Sequence, residues 1–219
     1  MRIGILGTGM VGQAIGGKLV ELGHDVRMGA RQAGNEKARA FVEKSGAGAS
    51  EGSFADAAAH GEFVFNCTGG MVSLAAVEAA GVDNLAGKIL IDVSVPLDFS
   101  KGFPPALSFR GEDSVGEQLQ RALPRTLVVK TLNTVNCNIM VNPALLPGEH
   151  DIFVGGNDAG AKATVTGILK EWFGWTSVID LGDITTSRGT EAYVLLWVRL
   201  YGATGGPNFN IRLVRPASA

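Results

Sequence analysis

Short apolar runs alternate along the chain with longer segments in which apolar residues recur at helical spacing. This alternation predicts strands and helices in turn, which is typical of a parallel sheet covered by helices on both faces. The predicted strands span residues 2–6, 25–28, 47–49, 62–66, 88–93, 126–131, 151–154 and 175–181. The predicted helices run from the first glycine-rich turn to residue 22 and over 35–44, 53–60, 71–80, 114–123, 158–173 and 183–201, with a long loop over 98–112.

The turn after the first strand carries Gly7, Gly9 and Gly12 in the G-x-G-x-x-G spacing. The first glycine permits a tight turn, the second lets a pyrophosphate approach the backbone, and the third lets the helix pack against the strand. Free N–H groups at the start of the helix would bind the phosphates. Because the motif lies between a strand and a helix, we interpret it as a dinucleotide site rather than a glycine-rich turn without a ligand.

The whole pattern predicts an α/β chain with a Rossmann-type, doubly wound, mainly parallel sheet and a small C-terminal α/β extension. We expect a dinucleotide-binding domain over residues 1–150 and the extension over residues 151–219. In the last helix, residues 194–201 are apolar on almost every side, with Arg199 the exception. Such a helix is normally buried, either in its own core or against a second copy of the chain. Residues 215–219 are expected to be disordered.

Composition adds few constraints. Of 219 residues, 46% are hydrophobic and 18% are charged, and the net charge of −2 gives no reason to expect nucleic acid or an anionic membrane as a partner. The two cysteines, Cys67 and Cys137, lack metal-ligand spacing, so no metal site is expected, and their number fits a reducing cytoplasm. No signal-peptide pattern is present, and the longest apolar run, residues 193–198, is too short to span a bilayer.

Small or polar residues follow five of the predicted strands. Since the carboxyl ends of parallel strands meet at one edge, we expect a single binding edge built from residues 8–11, 30–32, 67–70, 94–97 and 133–137. Arg31 stands where NAD-binding folds usually place Asp or Glu, and its planar guanidinium suits a 2′-phosphate. We interpret Arg31 as favouring NADP over NAD, the alternative being a solvated surface arginine.

No side chain shows the pattern of an acid–base catalyst. His24, His60 and His150 lie in predicted loops or at the wrong ends of predicted elements. Cys67 and Cys137 have no histidine near them in sequence, and we interpret both as packing residues. We therefore predict no catalytic residue. Hydride transfer between two bound coenzymes fits this expectation, because it depends on position and orientation more than on a proton donor.

Several motifs occur together that are more specific than the glycine turn alone. They are Gly7-Thr-Gly9 with Gly12, Gly29-Ala-Arg31, Asp92-Val-Ser-Val-Pro96, Val128-Val-Lys-Thr-Leu-Asn-Thr134, and Asp180-Leu-Gly182 with Ser187-Arg188. In this combination the chain resembles, over nearly its whole length, the NADPH-dependent reductases of the deazaflavin coenzyme F420. The N-terminal domains of membrane metalloreductases share the middle motif. The resemblance implies a homodimer that would give the apolar last helix a partner.

The resemblance also implies which residues contact the coenzymes. Thr8 to Val11 would hold the pyrophosphate and Arg31 the 2′-phosphate. Cys67 and Val95 would border the adenosine-side and ribose contacts. Asn133, Thr134 and Cys137 would line the place where the nicotinamide meets the deazaflavin ring. The full predicted set of cofactor-binding residues is Gly7, Thr8, Gly9, Met10, Val11, Gly12, Arg31, Cys67, Thr68, Ser94, Val95, Pro96, Asn133, Thr134 and Cys137.

Together these features predict an oxidoreductase that transfers a hydride between NADP(H) and coenzyme F420. Two alternatives stay open at the level of sequence. One is an NADPH-dependent reductase of another acceptor, such as a flavin, a ferric complex or an imine. The other is a non-catalytic NADP-binding redox sensor. The expected partners are small-molecule coenzymes and a second copy of the chain.

Overall fold

The computed structural model describes residues 1–108 and 111–216. Residues 109–110 of the predicted loop and residues 217–219 of the tail predicted to be disordered lie outside the described residues. The strands are β1 (Arg2–Leu6), β2 (Asp25–Ala30), β3 (Ala49–Ser53), β4 (Phe63–Asn66), β5 (Ile89–Asp92), β6 (Leu97–Asp98), β7 (Ala106–Leu107), β8 (Leu127–Thr131), β9 (Asp151–Gly156) and β10 (Ser177–Asp180). The helices are α1 (Met10–Glu21), α2 (Glu36–Ser45), α3 (Phe54–His60), α4 (Gly70–Ala80), α5 (Val82–Leu85), α6 (Val115–Ala122), α7 (Cys137–Val141), α8 (Ala159–Glu171) and α9 (Ser187–Thr204).

Eight of the strands form a single sheet in the order β10-β9-β8-β5-β4-β1-β2-β3. Neighbouring strands run parallel except β8 and β9, which are antiparallel. The chain begins in the middle at β1, builds outward to β3, and then crosses to β4 to build the other half. The winding direction therefore reverses between β1 and β4, where open α/β sheets bind their ligands. The predicted Rossmann-type, mainly parallel sheet is confirmed.

The central strands are buried on both faces, which explains why their sequences are apolar runs rather than alternating patterns. Ile5 of β1 and Phe65 of β4 belong to one core layer, whereas Val64 and Leu90, on β4 and β5, belong to the other. Burial on both faces holds the central strands rigidly. The loops at the carboxyl ends of these strands therefore begin at fixed positions.

The C-terminal part of the chain continues the same sheet. β9 pairs with β8, with Val129 opposite Gly156, and β10 pairs with β9. The chain then passes through a 3-10 turn at Ile184–Thr186 into α9, which contacts α6. The division at residue 150 stays a prediction.

Several elements differ from the sequence prediction, among them the edge strand and a short helix. The edge strand lies at Ala49–Ser53 rather than at residues 47–49, and its small polar residues are held by pairing with β2. The short helix α7 was not predicted. It begins after Asn136, whose side chain accepts a hydrogen bond from the Asn138 N–H and so caps the helix.

The predicted loop over 98–112 is not wholly irregular, because β6 and β7 form a small antiparallel pair at Leu97–Asp98 and Ala106–Leu107. The chain's own interior buries the apolar segment 194–201 only in part. Val194 and Val198 are buried, but Leu195 and Leu196 are 42% and 54% exposed. The helix thus has one face in the chain's own interior and one that the described chain leaves uncovered.

Candidate functional site

The glycine turn after β1 has the geometry that its spacing predicts. Gly7 has a φ of +114°, in the region that favours glycine, and its N–H donates to the carbonyl of Gly29 at 3.0 Å. A Cβ on Gly12 would lie 2.3 Å from the Gly7 carbonyl oxygen, so no larger residue fits there without a shift. These two positions bring α1 directly against the end of β1.

The start of α1 is open to a ligand. Gly9 is the N-cap residue and offers no side chain to the free N–H groups of the first turn. A Cβ built on Gly9 would meet no atom within 4 Å. The uncapped N–H groups and the positive end of the helix dipole suit an anion such as a pyrophosphate.

A pocket of about 580 Å³ lies at the end of β2, beside the glycine turn. Its lining residues are Thr8, Ala30, Arg31, Gln32, Ala33, Gly34, Asn35 and Phe54. Arg31 is exposed, and no described carboxylate lies within ion-pair distance of it. The Gly34 N–H donates to Glu51 at 2.8 Å, which fixes the loop that follows Arg31. The pocket therefore contains a guanidinium that has no ion-pair partner among the described residues. The loop that follows it is held in place by a hydrogen bond.

An apolar cavity of about 550 Å³ lies on the other side of the glycine turn. The ends of β4, β5 and β8 and one face of α9 enclose it. Its lining residues are Gly9, Met10, Val11, Cys67, Thr68, Gly69, Val93, Ser94, Val95, Leu97, Phe99, Phe103, Pro105, Asn133, Val135, Asn136, Cys137, Met140, Val194, Trp197, Val198 and Tyr201. None of these lining residues carries a carboxylate, an amine or an imidazole. The cavity therefore suits flat, uncharged rings.

Most predicted site residues meet around this cavity. Cys67 and Val95, which the resemblance places near the adenosine side and ribose, line the cavity and not the Arg31 pocket. Pro96 and Thr134 are buried behind the lining, and the Thr134 hydroxyl has no hydrogen-bond partner in the described chain. The three histidines line neither the pocket nor the cavity.

Asn133 lines the cavity and has an unsatisfied hydrogen-bond donor. Its side chain is buried, and its Nδ2 atom has no hydrogen-bond partner among the described residues. Leu132, just before it, has a φ of +63°, an uncommon and strained conformation for leucine that fixes how the chain leaves β8. A buried donor without a partner costs about 1–3 kcal/mol.

Both thiols at the cavity wall are held in the protonated form. Burial and the charge of Asp92 raise the pKa of Cys67, and burial raises the pKa of Cys137. Because the thiolate is the nucleophilic form, neither cysteine is poised for covalent chemistry. The geometry agrees with their interpretation as packing residues.

Polar side chains behind the cavity form a hydrogen-bonded network. Asn66 donates to Asp92 at 2.8 Å and accepts from the Thr68 hydroxyl at 2.7 Å. The Ser94 hydroxyl donates to the same Asp92 oxygen at 2.7 Å. The network fixes Thr68 and Ser94, two predicted site residues that follow different strands.

A buried lysine joins this network to the last helix. The Lys130 ammonium lies 2.8 Å from Asp92 and 2.8 Å from Glu191, and it also donates to the Ser94 carbonyl. Burial alone would favour the neutral amine, but the two carboxylates outweigh it and raise the pKa of Lys130. Glu191 also accepts from the N–H groups of Val115 and Gly116 at the start of α6. The cluster thus connects β5, β8, α6 and α9.

Sequence reasoning assigned no role to this cluster. A lysine within the otherwise apolar strand of residues 126–131 is the signal that could have marked it, because a buried charge requires a partner. The aromatic residues of the cavity wall, Phe99, Phe103, Trp197 and Tyr201, were also missed. Their convergence depends on how α9 and the segment around β6 and β7 fold over the strand ends.

Comparison with known proteins identifies the family. The family model for coenzyme F420-dependent NADP oxidoreductases matches residues 2–96. The crystal structure of a protein from Arthrobacter sp. FB24, provisionally named an F420-dependent NADP reductase, is 48% identical with a TM-score of 0.92, and the match covers 98% of this chain and 100% of that one. The chain belongs to the F420-dependent NADP oxidoreductase family. The resemblance inferred from its motifs is confirmed, as is the prediction that it is an enzyme.

More distant relatives share parts of this fold. Metalloreductase STEAP3 of Rattus norvegicus is 28% identical over 195 residues, which cover 89% of this chain and 36% of that protein. The chain thus spans about a third of the length of that curated relative. A reductive aminase from Aspergillus terreus, solved with NADPH and ethyl levulinate, has a TM-score of 0.66 at 20% identity, over 93% of this chain and 62% of that one, and shows the fold alone.

In this family member the described residues hold no group of three or more His, Cys, Asp or Glu side chains that could bind a metal ion. Within the same part of the chain, no helix is long and apolar enough to cross a membrane. The contacts of individual residues with a coenzyme stay predictions.

Proposed function

We propose that the protein transfers a hydride between NADP(H) and the deazaflavin coenzyme F420. The observation that carries the proposal is the apolar cavity beside the glycine turn, enclosed by aromatic side chains and lacking ionisable groups other than thiols and the Tyr201 phenol among its described lining residues. NADPH, when bound, supplies the hydride. The cavity would supply a water-poor space in which two flat rings are held face to face.

Residues around the glycine turn would hold the dinucleotide in an extended path. Arg31 would bind the 2′-phosphate in its pocket, where charge-assisted, bidentate contacts are available. The N–H groups at the start of α1 would bind the pyrophosphate. Thr68, Ser94 and Val95, at the ends of β4 and β5, would contact the ribose and ring side.

Asn133 would orient a ring at the centre of the cavity. Its Nδ2 donor lacks a partner in the described chain, and both the nicotinamide amide and the deazaflavin ring carry carbonyl oxygens that accept hydrogen bonds. A hydrogen bond to this donor would stabilise the complex relative to the protein without ligand. The hydrogen-bond network through Asp92 and Lys130 would hold Thr68 and Ser94 in fixed positions relative to Asn133.

We also infer that a second copy of the chain covers the uncovered face of α9. Leu195 and Leu196 are exposed on that face, where a second copy would remove apolar surface from water. Light scattering should give a dimer for the native chain, and Leu196→Glu should shift it toward monomer. A native chain that stays monomeric at tens of micromolar would contradict this inference.

An acceptor screen tests the proposed reaction. The protein is mixed with NADPH and, in separate reactions, with oxidised F420, a flavin, a ferric chelate or a cyclic imine, while NADPH absorbance is followed. We expect rapid oxidation only with F420. Oxidation by the chelate or the imine alone would identify a reductase of another acceptor. Tight NADPH binding without turnover would indicate a redox sensor.

A further inference from the structure

The segment that follows α9 returns to the sheet and is bonded to the start of β9. We call residues 207–213 the strap. The N–H of Asp151, the first residue of β9, donates to the Ile211 carbonyl at 3.0 Å. The Leu213 N–H in turn donates to the Asp151 carboxylate. The strap is therefore held against the sheet by bonds on both sides of residue 212.

Aromatic contacts connect the strap and the neighbouring His150 to the cavity wall. The ring of Phe209 on the strap lies 5.3 Å from the ring of Trp197, at an angle of 25°, and Trp197 lines the cavity. The His150 ring packs edge-on against Trp175 at 5.2 Å, and the Trp175 indole N–H donates at 3.0 Å to the carbonyl of Met140, another lining residue. A change at His150 can therefore reach the wall by two routes.

The contacts of His150 determine where its ring carries a proton. Its Nε2 atom lies 3.1 Å from the Pro143 carbonyl, which can only accept, so Nε2 carries the hydrogen. The Nδ2 atom of Asn210 on the strap lies 2.8 Å from the Asp151 carbonyl, which fixes that position as the amide NH₂. The same NH₂ lies 2.9 Å from His150 Nδ1, so Nδ1 must accept. The ring is therefore neutral in this arrangement.

Protonation of His150 removes a hydrogen bond from the strap. A hydrogen on Nδ1 would point at the Asn210 NH₂, and two donors cannot bond each other. Turning the amide around would bring its oxygen to His150 but set that oxygen against the Asp151 carbonyl. The Asn210 oxygen is buried and has no hydrogen-bond partner among the described residues, so it holds no other position. Either orientation of the amide therefore loses one bond, and histidine gains a proton between about pH 8 and 5.

The charged groups around His150 are already engaged. Glu149 precedes it and pairs at 2.6 Å with Arg212 of the strap. Asp151 follows it, and its carboxylate accepts two hydrogen bonds within the fold. The turn at residues 143–145 and the aromatic ring on the far side contribute no charged side chain. A protonated ring would therefore gain an ion pair only by weakening one of these contacts.

We propose that His150 is a positioning residue for the cavity. In its neutral form it latches the strap through Asn210, and the strap holds Trp197 through Phe209. When the ring is protonated, the strap loosens and the Trp197 side of the wall loses its support. The latch is independent of the acceptor, whereas its effect on turnover rests on the proposed function.

Nuclear magnetic resonance of the ¹⁵N-labelled chain without coenzyme tests the latch. At pH 8 we expect the His150 proton on Nε2. As the pH falls toward 5.5, with the fold intact by circular dichroism, the Trp197 indole signal should shift. Protection of the Leu213 amide from hydrogen exchange should fall about twofold to tenfold, which corresponds to one net hydrogen bond. The exchange rates are corrected for the intrinsic effect of pH.

Three variants separate the latch from other effects of acid. His150→Phe keeps the edge-on packing and removes both ring nitrogens, so its strap and Trp197 signals should not respond between pH 8 and 5.5. Asn210→Ala should show low strap protection already at pH 8. The matched control is His24→Phe, because His24 packs on Trp172 at 4.3 Å in a similar aromatic pair, and it should respond as the native chain does.

Three results would overturn the proposal. The first is a His150 proton on Nδ1 at pH 8. The second is an acid response that persists in His150→Phe, which would assign it to the neighbouring carboxylates. The third is a strap that loosens while the Trp197 signal stays unchanged, which would remove the positioning role. Because the spectra require no turnover, a failure to reduce F420 would overturn the proposed function and not the latch.

Discussion

Lys130 on β8 and Glu191 on α9 meet 2.8 Å apart in the interior. Their contact joins the central sheet to the helix that forms one wall of the cavity. Because Lys130 also contacts Asp92, whose other oxygen accepts from Asn66 and Ser94, the position of α9 is coupled to the loops that present the site. The shape of the cavity therefore depends on a buried charge cluster that contributes no lining residue of its own.

Replacing Lys130 with methionine should destabilise the protein strongly. The change leaves two buried carboxylates without their cation, and removing one partner of a buried ion pair typically costs about 3–5 kcal/mol. Urea unfolding followed by circular dichroism measures the loss. The control is Arg125→Met, since Arg125 pairs with Asp83 and both side chains are exposed, so this variant should cost less than about 1 kcal/mol. Similar losses for both variants would show that the buried cluster has no special role.

Replacing Arg31 with alanine should change the affinity for NADPH but not the affinity for NADH. We expect NADPH binding to weaken by about 1.5–3 kcal/mol, the range for charge-assisted hydrogen bonds, with little effect on NADH. Isothermal titration with each coenzyme gives both values. If NADPH and NADH lose affinity equally, Arg31 does not contact the 2′-phosphate.

Replacing Asn133 with alanine should weaken ligand binding without destabilising the free protein. The Asn133 Nδ2 atom has no partner to lose, so thermal stability without ligand should stay equal or rise. Affinity for NADPH or F420 should fall. The matched control is Asn66→Ala, because the Asn66 amide is bonded to Asp92, Ser73 and Thr68 and its removal should lower Tm. A large loss of stability in Asn133→Ala would point to a structural role instead.

The ion pair between Glu117 on α6 and Arg188 on α9 should make the stability of the protein depend on pH. The Arg188 guanidinium, at 2.6 and 2.8 Å, holds the pKa of Glu117 below its ordinary value of 4.5. A carboxyl with a lowered folded-state pKa stabilises the fold above its unfolded pKa, and this stabilisation is lost as the pH falls through the folded pKa. Glu117→Gln should therefore lower Tm by a few degrees at pH 7. The difference from the native chain should shrink below pH 4.5, and a difference that stays constant from pH 7 to 3 would contradict the assignment.

The parts of the fold that follow from local chemistry could be predicted. The glycine turn, the helix caps at Ser53 and Ser114, and the apolar central strands each carry their signal within a few residues. The convergence of the strand ends also follows, because parallel strands place their carboxyl ends at one edge. The bounds of β3 could not be predicted, since its residues Ala49 to Ser53 have no apolar pattern and depend on pairing with β2.

The parts of the site that depend on distant segments could not be predicted. Lys130 and Glu191 are far apart in sequence, and their contact exists only once α9 packs over the strand ends. Apolar positions alone left open whether the segment 194–201 is buried in its own core or against a second copy, and the structure buries Val194 and leaves Leu196 exposed.

Isotope transfer between the two coenzymes tests the central claim most directly. The protein is incubated anaerobically with NADPH deuterated at the transferable position of the nicotinamide and with oxidised F420, and the reduced deazaflavin is analysed by mass spectrometry. Because the cavity would hold the two rings in contact, we predict loss of the visible absorbance of F420 and stoichiometric deuterium on its reduced ring. Absence of reduction at saturating NADPH, or reduction with hydrogen from solvent in place of the label, would contradict direct hydride transfer.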